Sequence, residues 1–197
     1  MSIIAAPRTW VSGEVVTATL VNTELRDQFQ ALRNAVNSSA STTVANTTTE
    51  TVVAVYSIPA AQAAVGSIYR ITAFGNISFL ASTNLTWRLR IGGVAGTALA
   101  TMGPTPASGT GQTFKEFHVR GNVVCLTTGG SGTWYADFHE IRNWTQAGSV
   151  GDVQLASSDG AITRDTTAAN DLVLTAQWAA ASASNTLTAR QLVERFV

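Results

Sequence analysis

Between Leu85 and Ile91 the sequence LTWRLRI sets Leu85, Trp87, Leu89 and Ile91 in strict alternation with Thr86, Arg88 and Arg90. A period of two places all four apolar side chains on one face of an extended chain, which a helix would scatter around its axis. The same signal recurs along the chain. Thr51–Ile58 is β-branched and apolar, and Pro59 with the small residues 60–66 closes it. Ile68–Leu80 is a long run in which Gly75 marks a bulge or bend. Gly92-Gly93 makes a turn, Thr97–Met102 a short strand, and the segment 103–111, with two prolines and three glycines, a loop. Thr113–Thr128 and Gly132–Trp144 read as long strands joined in a hairpin across Gly129-Gly130-Ser131. Val150–Ser157 reads as a short strand, and Ser158–Asn170 as loop apart from Ala161–Arg164. Leu172, Leu174, Ala176 and Trp178 alternate with Val173, Thr175 and Gln177. Thr186–Val197 contains helix formers, yet it opens on Asn185-Thr-Leu-Thr and is assigned as a closing strand. Eight or nine strands with no helical pattern between them predict an antiparallel β-sandwich or jelly roll at 50–197, not βαβ units.

Ahead of this domain, Pro7–Val36 has a different period. After a Ser-Gly break and a Thr17 N-cap, Ala18, Asn22, Leu25, Phe29, Leu32 and Val36 recur at spacings of four, three, four, three and four. That is an apolar seam with Asn22 at an a position. At about 18 residues, roughly 27 Å, such a helix is too short to stand alone and needs a partner surface. The expectation is an N-terminal helical module at 1–38 that oligomerises through Asn22, Leu25, Phe29, Leu32 and Val36. A polar Ser/Thr linker at 39–49 then leads into the β-domain.

Trp10, Gly13, Glu14, Val16, Thr17, Ala18, Asn22, Thr23, Arg26 and Asp27 form a spaced pattern. It resembles the N-terminal segment of a family of tail-associated proteins of phages that infect Gram-positive bacteria. The style of Asn46-Thr-Thr-Thr-Glu-Thr-Val-Val and of Leu85–Gly93 resembles the β-rich domains that follow that segment. The resemblance implies a virion structural protein, homotrimeric, held to other virion proteins by its N-terminal module. Its C-terminal domain would be a jelly roll of the tumour-necrosis-factor-like kind, and no catalytic motif carries over.

Composition agrees with such a role. Charged residues are 12% of the chain, about half the usual share, as expected of a β-protein largely covered by neighbours. The net charge is zero, so nothing steers the chain to nucleic acid or an anionic membrane. No apolar run reaches membrane-spanning length, and no apolar segment follows Arg8 as a leader would require. The chain is therefore expected to be made in the cytoplasm and to end in the virion. The Asn-x-Ser/Thr triplets at Asn46, Asn76, Asn84 and Asn143 then follow from Thr-rich composition. Cys125 is the one cysteine, which excludes an intrachain disulfide and predicts a buried thiol.

Candidate chemistry is sparse, and no cofactor motif is present. His118 and His139 lie in long β-runs, and only Asp137 shares the strand face of His139. The readings are half-exposed strand histidines, a dyad or metal site, or a three-fold ion site on a trimer axis. Asp152, Asp159, Asp165 and Asp171 lack calcium-loop spacing and are expected to cap turns. Arg88 and Arg90 share a face, suited to an anionic glycan or to intersubunit pairing with acidic residues. Trp87 and Trp178 are expected in the core, whereas Trp144, at a strand end, is the candidate glycan-stacking ring. Three functions follow: a trimeric tail-fibre or tail-tip knob touching the host surface, a capsid decoration or head-fibre protein, and a cell-wall glycan hydrolase. The hydrolase lacks its carboxylate pair, so a non-enzymatic role is expected.

Overall fold

The computed structural model describes residues 13, 15, 17, 35–37, 41–106, 110–143, 152–158 and 160–196. The chain divides into two compact units, Met1–Ala35 and Val36–Val197. In the first, Gly13 lies in a turn with φ of 86°, as the Ser-Gly break predicts. Asn22, Leu25, Phe29 and Leu32 lie outside the described residues. Val36 does not continue a helix, because Ala35–Asn37 is a strand, β1. A β-branched residue beside the open edge of another strand gains a sheet ladder that a frayed helix end lacks.

The second unit is a curled sandwich of two antiparallel sheets. The strands after β1 are β2 (Thr42–Ala45), β3 (Thr51–Ile58), β4 (Ile68–Phe79), β5 (Asn84–Ile91), β6 (Thr97–Pro106) and β7 (Gln112–Thr127). They continue as β8 (Thr133–Arg142), β9 (Asp152–Ser157), β10 (Ile162–Thr163), β11 (Asn170–Trp178) and β12 (Thr186–Phe196). The larger sheet runs β1-β12-β4-β7-β8-β10, with β2 also on β12 and β9 also on β8. The smaller runs β3-β11-β5-β6. The chain passes back and forth between the sheets, and neither is complete until β11 and β12 return to pair with β3 and β4.

The period-two pattern of β5 appears directly as alternate burial, and Trp87, Leu89 and Ile91 have no solvent exposure. Trp87, Trp134, Trp178, Tyr69 and Phe138 are the large fully buried side chains between the sheets. Each indole N–H finds an acceptor: Glu140 Oε1 for Trp87, the Arg164 carbonyl for Trp134 and the Val44 carbonyl for Trp178. Cys125 is buried and free, and burial pushes its thiol pKa up.

Three segments depart from the sequence reading. Thr42–Ala45, inside the expected linker, is strand β2; its Val44 is buried against β12. At Gly75 the register stays unbroken on both sides, and the irregularity falls between Ile77 and Phe79. Glycine is needed there because a Cβ would overlap the Thr188 carbonyl oxygen of β12. Strand β6 continues through Pro106, deep into the expected loop. It is the edge strand of the smaller sheet, where a missing N–H breaks no ladder. The C-terminal run, by contrast, is the strand the sequence assigns, paired with β4 from Thr186 to Phe196.

Candidate interaction face

The two sheets present unlike outer faces. On the smaller sheet the central strand β11 is buried on both sides, with Val173 2% and Thr175 0% exposed. The segment leading from β2 to β3 crosses this face. Gln177 Nε2 donates to the Thr48 carbonyl at 2.9 Å, and Thr175 donates its hydroxyl to Glu50. Arg90 holds both Glu50 oxygens, at 2.7 and 3.0 Å, and Arg88 adds a third contact at 3.2 Å. Arg88 and Arg90 thus find an acidic partner, Glu50, within their own chain. Burial pushes the Glu50 carboxyl up, but Arg90, Thr175 and Arg88 outweigh it and leave the pKa below its ordinary value.

The outer face of the larger sheet has no such cover among the described residues. In β7 the side chains of Val119, Val123 and Cys125 point into the core, so His118, Arg120, Asn122 and Val124 point outward. Register fixes their neighbours on β4 and β8. Val124 lies between Ile68 and Tyr135, Asn122 between Arg70 and Asp137, Arg120 between Thr72 and His139, and His118 between Phe74 and Ile141. A polar band therefore runs between two apolar rows. Within it Arg70 contacts Glu194 at 3.4 Å and donates to Asn122 Oδ1 at 2.9 Å, and Asn122 donates to Asp137 at 3.0 Å. Arg120 Nε donates to His139 Nε2 at 3.2 Å. In the apolar rows Ile68, Phe74, Tyr135 and Ile141 are 36–48% exposed, and Leu155 on the adjoining β9 is 79% exposed. Toward one end of the face an open depression of about 390 Å³ lies between Phe74 and Ile141, rimmed by Asn76, Glu116 and Asn143.

Both histidines are half-buried on this face, as expected of strand histidines. Burial, and then the Arg120 charge, pull the His118 pKa below its ordinary value. Burial and Arg120 act likewise on His139 against the opposing pull of Asp137. Asp137 shares the face of His139, but its hydrogen-bond partner is Asn122. Among the described residues no three His, Cys, Asp or Glu side chains gather as a metal site; a three-fold axial site would need only one from each copy. Asp165 makes the expected local turn bonds, to Thr167, whereas Asp171 lies in β11 and accepts from Ser57 of β3, and Asp152 lies in β9. Trp144 and Asp159 lie outside the described residues.

The buried pair Glu140 and Arg142 was not singled out from the sequence. Glu140 is 0% and Arg142 5% exposed; their side chains are 3.7 Å apart, and Glu140 accepts from Trp87. The signal was there, since alternation from Trp134 through Ala136 and Phe138 sends both inward. Among the described residues no helix is long and apolar enough to cross a membrane. Comparison with protein-family models, with curated proteins and with solved structures finds no match to this chain.

Proposed function

We propose that this protein is a non-enzymatic structural component of a phage virion, a homotrimeric tail-fibre or tail-tip knob carried on other virion proteins by its N-terminal unit. The strand order, with the chain passing back and forth between two antiparallel sheets, supports reading the sandwich as a jelly roll. The observation that carries the functional reading is the contrast between the two outer faces. The smaller sheet is closed by its own chain through Glu50, whereas the larger exposes Ile68, Phe74, Tyr135, Ile141 and Leu155 around a polar band. An exposed face whose apolar rows flank an internally paired polar band suits burial against further copies of the same chain, in a closed ring. The resemblance of Trp10–Asp27 to tail-associated proteins supports the virion assignment, and Trp144 is the proposed contact with a host cell-surface glycan.

Two measurements test this reading. Sedimentation of the full chain at micromolar concentration is expected to give a trimer, and a monomer overturns it. Antibody labelling of intact particles is expected to mark tails. Labelled heads with bare tails would replace the knob with a capsid decoration or head-fibre protein.

A further inference from the structure

Two imidazoles flank one guanidinium on the outer face of the larger sheet. His118 stands two residues before Arg120 on the same face of β7, and His139 is the direct register partner of Arg120 on β8. The Arg120 Nε–H donates to His139 Nε2, so that nitrogen must offer a lone pair. A protonated ring has none, and a donor would then face a donor and a cation a cation. His118 Nδ1 is closed off from solvent without a hydrogen-bond partner, so a charged ring there has no acceptor on that side.

The groups facing the histidines offer little relief. On β4 they are Thr72 and Phe74, with Arg70 one row away; on β8, Ile141; on β9, Leu155. Arg190 of β12 is the register partner of Phe74. The nearby carboxylates are engaged: Asp137 accepts from Asn122, and Glu116 sits with Asn143 at 3.5 Å.

We infer that His118, Arg120 and His139 make the association face acid-sensitive: near neutral pH the trio carries one positive charge, on acidification three, and copies meeting across it separate. This rests on reading that face as the place where copies meet. The sign follows from linkage. In the chain alone burial and Arg120 already favour the neutral rings, and a second copy would exclude more water from them. The contribution to association is then fully present above the histidines' values in the single chain, themselves below the ordinary imidazole value of about 6.5, and is lost as pH falls through them toward the still lower values in the assembly.

Sedimentation velocity of the full chain at about pH 7.5 and about pH 5.0 tests this, with wild type beside a His118→Gln/His139→Gln double variant. Glutamine can accept from Arg120 and takes up no proton. Wild type is expected to associate at least about tenfold more weakly at the lower pH, the effect of one pKa unit at a single site. The double variant is expected to stay trimeric at both. Should that variant fail to fold, wild type at pH 5.0 in about 1 M salt replaces it, because screening must restore the trimer if charge repulsion separates the copies. A wild-type trimer equally strong at both pH values overturns the inference, as does a double variant that dissociates like wild type or a failure of salt to restore association. A wild-type monomer at pH 7.5 overturns the association reading itself and the inference with it.

Discussion

Glu50 joins the end of β2's connection to the start of β3 through three side chains of the smaller sheet, Arg88, Arg90 and Thr175. Its side chain is 16% exposed and those of the arginines 23% and 17%. Removing the carboxylate leaves two guanidinium groups at a largely dry surface without their counter-ion, with the Gln177 side chain and the Gly96 carbonyl as remaining acceptors. That costs more than the ion pair itself contributes. Glu50→Ala is expected to lower unfolding stability by about 2–4 kcal/mol at pH 7, read from urea denaturation. Because the Glu50 pKa is depressed on folding, its contribution is present above about 4.5, the ordinary glutamate value, and lost as pH falls through the lower folded value. The stability gap between wild type and Glu50→Ala should therefore narrow in acid. Gly75 poses a purely steric constraint. Gly75→Ala drives a methyl into the Thr188 carbonyl, with an expected loss of about 3 kcal/mol or more. Gly130→Ala, where nothing lies within 4 Å of the added carbon, is expected to change stability by less than about 0.5 kcal/mol. Equal effects of the two substitutions in denaturant melts would show that the β4–β12 approach is not tight.

At the scale of strands, β2 decides where the β-domain begins. A chain starting at Val36, the boundary between the compact units, keeps the Val44 carbonyl for Trp178, the Asn46 amide for the Asn185 carbonyl and the Thr48 carbonyl for Gln177. A chain starting at Glu50 loses all three and exposes the core that Val44 covers. The first truncation is expected to melt within a few degrees of the domain in the full chain, and the second at least about 8 °C lower, for a loss of about 2–4 kcal/mol. Near-identical melting of the two would mean that β2 adds nothing. Strands such as β5 and β8 were legible because water lies on one side and core on the other, which prints a period of two. Strand β2 was not, since NSSASTTVANTTT offers one buried apolar residue, and its place is set by the free edge of β12. The β11 pattern was read correctly as a strand, but its alternation does not show that its second face is covered too. Val173 and Thr175 are covered by a segment that sequence periodicity cannot place.

For the whole molecule, the functional question turns on which outer surface is left for a partner. The sequence showed that Arg88 and Arg90 share one face and that Asp137 shares the face of His139, and both hold. What it could not show is cross-strand register. Register sets Arg120 against His139, and the path of the segment leading into β3 across the smaller sheet gives Arg88 and Arg90 a partner 38 and 40 residues away. Those pairings make the smaller sheet self-sufficient and leave the larger as the proposed association face. The distinction can be tested at one exposed isoleucine and one exposed valine: Ile141, 48% exposed on the larger sheet, and Val55, 40% exposed on the smaller. Both stand in paired strands, and at either site a lysine can extend its charge into water, so neither change should cost the isolated domain more than about 1 kcal/mol. In an assembly the two differ. A lysine at 141 would bring a further cation beside His118 and would have to be desolvated between copies, whereas one at 55 would stay in water. Ile141→Lys is therefore expected to weaken self-association at least about a hundredfold, roughly 3 kcal/mol, while Val55→Lys leaves the sedimentation profile unchanged. The reverse result would move the contact surface to the smaller sheet, and equal behaviour of the two variants would remove the asymmetry on which the association reading stands.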